Sequence, residues 1–427
     1  MTDAPRHFLR ELFRIAVEAA DPGRAVPRFL PPPSKSGRLV VVGAGKAAGA
    51  MARAVETHTN APLEGVVVTR YGHGVPCQKI TVVEAAHPVP DAAGLDGARR
   101  LLAAVQGLCE DDLVVCLISG GASALLTLPA PGIALDDMRG LTEQLLKSGA
   151  SIHEMNCVRK HLSAIAGGRL GIAAHPARLV TLAISDVTGD DPSVIGSGPT
   201  VADPTTLADA WNILTRYQIA PSDAIRARLA TPDAETPKPG DPRLARAEYR
   251  LIASPRASLE AAAALAKHHQ VAALSLGDAI EGEAREVAAR HAHFIREVQA
   301  GLAPVRPPCV VLSGGETTVT VRGKGRGGRN AEYLLALTVA LDGAPGVYAL
   351  AADTDGIDGT ENNAGALTAP DSLARARAQG RDASAMLDDN DGYGFFEALG
   401  DLVVTGPTLT NVNDFRAILI LPEAPRR

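Results

Sequence analysis

The stretch LVVVGAGKAAGAMARAV, residues 39–55, decides the fold class of this chain. Its first four residues are apolar and predict a buried strand, Gly43 and Gly45 predict a tight turn, and the alanine-rich remainder predicts a helix. A strand that enters a helix through such a turn begins a β–α–β unit. Lys46 stands inside the turn, at a place where the dinucleotide-binding pattern requires no cation. The stretch is therefore compatible with a dinucleotide site or with a site for a smaller anion.

The same alternation of strand and helix continues along the chain. Because the predicted strands are apolar on both faces, they indicate a parallel sheet that is covered by helices. The predicted strands are 38–45, 65–70, 79–86, 112–121 and 178–186, and the helices between them include 46–57, 93–106 and 153–165.

A proline-rich and charged segment, 230–249, interrupts this pattern and predicts a linker near 231–243. The alternation then starts again, which predicts a second α/β domain. The closely spaced apolar runs 309–313 and 317–322 suggest an antiparallel hairpin, so the second sheet should be mixed. We therefore expect two α/β/α three-layer domains: a Rossmann-like domain over 1–235 and a mixed α/β domain over 236–427.

The composition limits the classes of function. The 427 residues carry a net charge of −6 without a basic block, which argues against nucleic-acid binding. No apolar run approaches the ~20 residues that span a bilayer. The five cysteines lack paired spacing and should be reduced thiols in the cytoplasm. We expect a cytoplasmic protein that acts on small molecules, with a homodimer left open.

The turn that contains Lys46 allows three interpretations. At a helix start, an ammonium group next to the positive end of the helix dipole favours a phosphate or carboxylate. A solvated surface lysine is the first alternative. An NADP site is the second, because Arg70 ends the next strand and would tolerate a 2′-phosphate, although no acidic residue stands there to bind the ribose hydroxyls.

Two further motifs of the first domain could contact a ligand. SGGASALL, 119–126, follows a buried strand, and Ser119, Gly120, Gly121 and Ser123 could present amides and hydroxyls to a phosphate. A tight turn with an N-cap serine would look similar. On the helix of 153–165, His153, Asn156 and Lys160 share one face, which fits either a substrate contact or an ordinary surface helix.

The segment GKGRGGRN, 323–330, gives the clearest signal in the second domain. Its four glycines surround Lys324, Arg326 and Arg329 immediately before a helix. Glycines with interspersed cations at a helix start form a phosphate clamp, whereas a purely structural turn does not need the charge.

Carboxylates follow a buried strand of the second domain at Asp353, Asp355 and Asp358, and Glu316 lies in the motif SGGE. Clustered carboxylates favour a hard cation such as Mg²⁺ or supply a general base, and structural Asx turns are the alternative. Asp190 is a further candidate near the metal or a substrate hydroxyl. Together with the anion-binding loops, and without a Walker motif, this inventory predicts phosphoryl transfer.

In order along the chain, these motifs resemble the class II glycerate 2-kinase family, whose members carry a C-terminal MOFRL domain. The motifs are VVGAGKAAGAM, HPVPD, LISGGASALL, HEMNCVRKHLSAIAGGRL, SDVTGDDPSVIGSGPT, SGGETTVTVRGKGRGGRNAEYLLAL, AADTDGIDGTENNAGA and TGPTLTNVND.

The resemblance implies transfer of phosphate from ATP, with Mg²⁺, to the 2-hydroxyl of D-glycerate, in a cleft between the domains. Some relatives are labelled hydroxypyruvate reductase, so an NAD(P)H-dependent reductase is the alternative. The resemblance also makes Lys46 and Arg326 the leading catalytic cations. The full prediction is: catalytic Lys46, Arg326 and Asp355; substrate- or phosphate-binding Gly43, Gly45, Ser119, Gly120, Gly121, Ser123, Asn156, Lys160, Asp190, Gly314, Glu316, Lys324, Gly325, Gly327, Arg329, Asn330 and Asn411; metal-binding Asp353, Asp355 and Glu316.

Overall fold

A computed structural model describes residues 4–33 and 36–422, and these residues form two compact domains. The chain begins with helix α1 (Ala4–Ala19), which buries Leu9, Leu12 and Phe13. This helix belongs to the second domain, because its apolar face packs in the same core cluster as Leu259 and Phe415. The first domain therefore starts at Pro22, and the predicted start at residue 1 is wrong.

The first domain, Pro22–Ile252, contains a six-stranded sheet of order β3-β2-β1-β4-β5-β6. The pairs β3–β2, β2–β1, β1–β4 and β4–β5 are parallel. This order confirms the Rossmann-like prediction and brings the ends of β1 and β4 next to each other. The strands are β1 (Leu39–Ala44), β2 (Leu63–Arg70), β3 (Ile80–Ala85), β4 (Leu113–Ile118), β5 (Arg178–Ile184) and β6 (Ala247–Ala253).

Some helices pack on this sheet and share a core with its strands, whereas apolar residues of four other helices form a separate cluster. The helices of this domain are α2 (Pro22–Phe29), α3 (Ala48–His58), α4 (Ala92–Ala104), α5 (Ala122–Leu125), α6 (Leu135–Lys147), α7 (Ile152–His161), α8 (Arg169–Ala173), α9 (Leu207–Arg216) and α10 (Asp223–Leu229).

The domain boundary lies after residue 252, so the predicted boundary at 235 is wrong. Strand β6 was expected to open the second domain, but it forms the edge of the first sheet beside β5. The proline-rich segment contains two short 3-10 helices, Pro232–Ala234 and Pro242–Leu244. Its prolines therefore shape the connection that leads from α10 to β6, and they do not mark a linker between domains.

The second domain contains a mixed sheet of order β13-β12-β11-β14-β9-β7. Strand β14 is antiparallel to both β11 and β9, whereas β7 is parallel to β9. The elements are α11 (Pro255–His268), β7 (Ala272–Ser275), β8 (Gly282–Glu283), α12 (Ala284–Gln299), β9 (Cys309–Gly315), β10 (Thr317–Thr318), α13 (Arg329–Leu341), β11 (Val347–Asp353), β12 (Gly365–Thr368), α14 (Ser372–Ala378), α15 (Ala383–Asp388), α16 (Gly392–Leu399), β13 (Leu402–Val403) and β14 (Asp414–Ile420).

The prediction of a mixed sheet is confirmed, but the antiparallel hairpin of 309–313 and 317–322 on which it was based does not form. Strand β9 is fully buried and has β14 and β7 as its two neighbours, so both of its edges are occupied. Strand β10 instead pairs in parallel with β8 in a separate two-stranded sheet.

Within the described residues, no helix is long and apolar enough to cross a membrane. The five cysteines are free thiols.

Candidate active site

The turn that follows β1 uses its own amides inside the protein. The N–H groups of residues 45 to 48 each donate a hydrogen bond to a neighbouring oxygen, so none of the four is left for a ligand. The bonds join Gly45 N to Val68 O (3.1 Å), Lys46 N to Gly120 O (2.8 Å), Ala47 N to Ser119 Oγ (3.0 Å) and Ala48 N to Gly45 O (3.0 Å).

The two glycines of this turn are explained by packing against the next strand of the sheet. A Cβ atom on Gly43 would lie 2.1 Å from the carbonyl oxygen of Leu117. A Cβ atom on Gly45, whose φ is +132°, would lie 2.1 Å from Ser119 Oγ. We therefore correct the predicted role of Gly43 and Gly45: they let β1 and β4 approach, and the Gly45 amide does not face a ligand.

The Lys46 side chain is half-buried and lies beside the turn that follows β4. Its Cγ atom is 3.6 Å from the position that a Cβ on Gly121 would take, and His87 Nε2 is 2.9 Å from the same position. Lys46, His87 and Gly121 therefore form one cluster at the carboxyl ends of the central strands, where ligands of such sheets bind.

The turn after β4 has amides that are not used by the protein. The N–H groups of Gly120, Gly121 and Ser123 donate to no other part of the described chain. Gly121 has a φ of +82°, which is the left-handed conformation that makes successive amides converge. We call these three amides the nest. An anion at the nest would also lie near Lys46.

The serine hydroxyls of this turn have structural partners. Ser119 is fully buried, and its Oγ accepts the Ala47 amide. The hydroxyls of Ser123 and Ser197 share a hydrogen bond of 2.8 Å. Because these hydroxyls already have partners, we expect the motif to contact a phosphate through its backbone amides.

The helix α7 places its predicted polar residues in different environments. Lys160 forms a buried ion pair with Asp203, with 2.7 Å between Nζ and Oδ1, and both side chains are almost completely excluded from solvent. Because the ammonium group is neutralised there, we correct Lys160 from a substrate contact to a structural residue. His153 is exposed, whereas Asn156 is buried and its Oδ1 has no partner in the described chain.

Asp190, in the loop after β5, has two features of a functional carboxylate. Its φ is +54°, a conformation that non-glycine residues rarely adopt and that is often found at functional sites. Its Oδ1 atom is buried and accepts no hydrogen bond from the described residues. This oxygen is available to a proton or to a polar ligand.

In the second domain, the predicted metal ligands surround an arginine. The Arg329 guanidinium bonds Glu316 (2.8 Å), Asp353 (2.9 Å) and Asp414 (2.8 Å). Burial by itself would lower the pKa of Arg329, but the carboxylates, Asp414 foremost, raise it above its ordinary value. Arg329 is therefore held as a cation, and it takes the central place that the sequence had assigned to Mg²⁺.

The predicted metal set of Asp353, Asp355 and Glu316 is not assembled. Asp355 is buried and its Oδ1 accepts the Ile357 amide at 2.8 Å, which is the Asx turn that sequence reasoning left open. Among the described residues, no three His, Cys, Asp or Glu side chains form a group that could hold a metal ion. Two of the three carboxylates bond Arg329 in this structure, and metal binding by these residues stays a prediction.

The start of helix α13 is occupied by a carboxylate of the protein. Asp358 accepts the amides of Asn330 (3.0 Å) and Ala331 (2.8 Å). Asn330 also donates to Asp414 through its side-chain nitrogen at 2.8 Å. The predicted phosphate clamp therefore does not use these helix amides or the Asn330 side-chain nitrogen.

The glycine-rich loop before α13 is held by a second segment, residues 389–393, which sequence reasoning missed. Hydrogen bonds from five backbone groups of the loop, including Gly323 N to Asn390 Oδ1 (3.0 Å), fix it and leave the side chains of Lys324 and Arg326 exposed. The other four bonds join Lys324 N to Asp389 Oδ1 (2.9 Å), Gly325 N to Asp389 O (2.8 Å), Arg326 N to Asp391 Oδ1 (3.2 Å) and Tyr393 N to Arg326 O (2.9 Å).

Arg326 is oriented by an aromatic ring. Its Cζ atom lies 4.4 Å from the centroid of the Tyr393 ring, and its Nη2 is 3.4 Å from Glu397 Oε2. About half of the side chain, 54%, is exposed. Gly325, Gly327, Arg329 and Asp353 line a neighbouring cavity of about 260 Å³. The loop thus presents an ordered guanidinium to solvent beside a cavity.

The two remaining predicted residues of the second domain are built into the scaffold. Gly314 lies inside β9, where it pairs with Phe415, and not in a loop. Asn411 is buried, and its Oδ1 accepts the Asn413 amide at 3.3 Å. We therefore correct the prediction that Gly314 belongs to a ligand loop.

Comparisons with known proteins cover nearly the whole chain. Residues 8–230 match a domain of unknown function, DUF4147, and residues 309–414 match the MOFRL family. The chain is 40% identical to D-glycerate 2-kinase of Thermotoga maritima, over 96% of this chain and 97% of that protein. The crystal structure of a glycerate kinase from Thermotoga maritima aligns with a TM-score of 0.89 and 38% identity, covering 98% of this chain and 100% of the other. The chain belongs to the class II glycerate kinase family.

Family membership confirms the resemblance that the sequence motifs had suggested. One relative carries a different name: a protein of Agrobacterium vitis, provisionally named hydroxypyruvate reductase, is 56% identical over 97% of this chain and 94% of its own length. The family thus contains members with names from two enzyme classes.

We expect Asp358 to make the stability of this family member pH-dependent. Burial raises the pKa of Asp358 from its ordinary value to about 6. Between about pH 4 and 6, the native state therefore binds a proton more tightly than the unfolded chain does. We expect the free energy of unfolding of the wild type, relative to Asp358→Asn, to fall by up to about 3 kcal/mol as pH rises through this window. Urea unfolding at a series of pH values measures this difference.

Asp112→Asn is the control, because Asp112 is also buried but its pKa is shifted in the opposite direction. Its pKa is lowered by hydrogen bonds from the amides of Cys109 and Arg38. Its contribution to stability should therefore be present at neutral pH and be lost as pH falls into the acid range. A difference between wild type and Asp358→Asn that does not change with pH would contradict the expectation.

Proposed function

We propose that this protein is a glycerate 2-kinase, which transfers the γ-phosphoryl group of ATP to the 2-hydroxyl of D-glycerate. The products are 2-phosphoglycerate and ADP. The names of the Thermotoga maritima relative and structure support this activity. The same proposal puts the enzyme in the cytoplasm, where ATP is available and the free cysteines stay reduced.

The observation that carries the proposal is the nest beside Lys46. Three amides that donate to no other described residue and the side chain of Lys46 lie together at the carboxyl ends of β1 and β4. Phosphoryl transfer is catalysed mainly by positioning and by neutralising the charge of the transferring group. The nest would position a phosphate, and Lys46 would stabilise the charge that shifts onto its oxygens during transfer.

Two other residues have roles in this proposal. Asp190 would accept the proton of the 2-hydroxyl through its unpartnered Oδ1, because a nucleophilic alcohol must lose that proton when the new O–P bond forms. Arg326 would neutralise phosphate charge through a guanidinium that Tyr393 holds in place. That Lys46 and Arg326 act on the same phosphoryl group stays a prediction.

Mg²⁺ dependence also stays a prediction. The carboxylates of the second domain do not fit a dedicated site, because Glu316 and Asp353 bond Arg329. Mg²⁺ in kinases is commonly bound by substrate phosphates and water with only one or two carboxylates. We therefore expect the ion to enter with ATP, and we assign no ligand set in the protein.

An NAD(P)H-dependent hydroxypyruvate reductase is the second candidate, and the name of the Agrobacterium vitis relative favours it. A dinucleotide site of the Rossmann type binds the pyrophosphate through the first glycine turn and the helix that follows it. Here the amides of residues 45 to 48 are already bonded within the domain. This geometry supports the kinase over the reductase.

Two assays on one preparation test the proposal. With D-glycerate and Mg-ATP, we expect ADP formation and a product that enolase converts directly to phosphoenolpyruvate, since enolase accepts the 2-phosphate and not the 3-phosphate. With hydroxypyruvate and NADH or NADPH, we expect no oxidation of the cofactor. Cofactor oxidation without ATP turnover would refute the kinase proposal.

A further inference from the structure

A second cavity lies in the first domain and has not been given a role. It measures about 340 Å³ and is lined by the loop 88–90, by α5 and α6, and by Arg159 of α7. Most of its walls are apolar, and two large apolar side chains on its lining are exposed, Val89 by 63% and Leu146 by 60%. A concave apolar site with a few polar groups is typical of small-molecule binding.

Three charged side chains line this cavity: Arg139, Glu143, which is paired with Lys147, and Arg159. The side chain of Arg159 is half-buried, and its guanidinium donates to the carbonyl oxygen of Ser123 at 3.0 Å. No carboxylate in the described chain forms an ion pair with it. By contrast, Arg139 on the same cavity bonds Asp136 and the carbonyl oxygen of Pro90. A partly buried guanidinium without an acidic partner is costly unless an anionic ligand completes it.

Residues that line the cavity are neighbours in the sequence of residues at the nest. Ser123 contributes an amide to the nest and holds Arg159 through its carbonyl oxygen, and Ala124 lines the cavity. His87, next to Gly121, is followed directly by Pro88 of the cavity wall. One molecule could therefore place its phosphates at the nest and an apolar body in the cavity.

We propose that this cavity binds the nucleoside of the phosphoryl donor and that Arg159 contacts the phosphates nearest to the ribose. The inference rests on the proposed kinase function. The volume is far larger than a three-carbon acid needs and lies within the usual range for sites of drug-sized ligands. The side chains of Met138 and Leu135 offer apolar contact to a base, and the guanidinium matches phosphate geometry.

Calorimetric titration of the full-length protein with ADP, without glycerate, tests this inference. We expect Arg159→Met to weaken ADP binding about 10- to 100-fold, because a charge-assisted hydrogen bond is lost. Leu146→Glu adds a negative charge at an exposed wall residue and should weaken binding about tenfold without a folding defect. Arg100→Met, an exposed arginine on α4, is the matched control and should bind ADP as the wild type does. Thermal unfolding verifies that each variant is folded.

Kinetics distinguish the outcomes. The inference predicts a higher KM for ATP in Arg159→Met, with the KM for glycerate unchanged. A raised KM for glycerate alone would assign Arg159 to the acceptor and overturn the inference.

If both cavity variants bind ADP normally while the wild type makes 2-phosphoglycerate, the cavity inference is wrong and the kinase proposal stands. If the wild type phosphorylates no glycerate, the kinase proposal fails, and weaker ADP binding by the variants would still support a nucleotide cavity. No ADP binding by the wild type at millimolar concentration would overturn the inference.

Discussion

Lys46→Ala should lower kcat for ATP-dependent phosphorylation of glycerate by about 10²–10³-fold. The Lys46 side chain passes beside the nest, and we propose that its ammonium group stabilises charge that shifts onto the transferring phosphoryl oxygens. Removal of one such electrostatic contact costs a few kcal/mol in the transition state. The fold should be retained, because the Lys46 amide and not its side chain makes the bond to Gly120. The coupled ADP assay at saturating substrates measures the effect.

Lys79→Ala is the matched control for this substitution, because Lys79 is exposed in the same domain and its amide, not its side chain, bonds Glu56. Its kcat should equal that of the wild type. If Lys46 merely flanked a dinucleotide pyrophosphate, its loss would chiefly raise the KM for the cofactor. An unchanged kcat for phosphorylation in Lys46→Ala would defeat the assignment of this turn.

Arg326→Ala should reduce kcat by a similar factor of about 10²–10³, because its guanidinium would neutralise the transferring phosphate. The loop that carries Arg326 is fixed by residues 389–393 independently of the side chain, so the variant should fold. Initial rates over a range of ATP and glycerate concentrations separate kcat from KM.

Two further variants separate catalysis by Arg326 from a general role of the loop. Arg322→Ala removes an exposed arginine of the same loop and should leave kcat unchanged. Tyr393→Leu removes the ring under the guanidinium and should lower kcat less than Arg326→Ala does, whereas Tyr393→Phe keeps the ring and should retain most of the activity. Equal loss in Arg322→Ala and Arg326→Ala would show that loop charge, and not Arg326, matters.

Local sequence patterns predicted most strands of the first sheet and the motif that forms the nest. A buried strand followed by glycines and a helix start has few structural solutions, so Gly120 and Gly121 could be located from the sequence. The partners of charged residues could not be predicted from the sequence. Lys160 pairs with Asp203, and Arg329 pairs with Asp414, across 43 and 85 positions of the chain. The sequence indicates that a charge is present, but only the fold decides which charge lies opposite.

For glycines and aspartates, local sequence cannot distinguish a structural role from a role in ligand binding. Gly43 is required by the carbonyl oxygen of Leu117 on the neighbouring strand, and a glycine required by a ligand would have the same sequence context. Asp358 follows the same pattern as Asp353 and Asp355, yet it caps α13 while Asp353 bonds Arg329. The segment 389–393 carries no motif and becomes significant only through its bonds to the glycine-rich loop.

The membership of α1 in the second domain affects the order in which the protein can fold during synthesis. The first domain is continuous in the chain, so all of its strands have been translated once residue 253 has been made, and it can fold while the rest emerges. Helix α1 is made before the first domain, but one of the elements it packs on, strand β14, is the last described strand to be translated. Because β14 lies between β11 and β9, the second sheet remains divided until then. On the ribosome, the apolar face of α1 therefore stays unpaired until α11, its main partner, has been made, and its packing is complete only when β14 emerges.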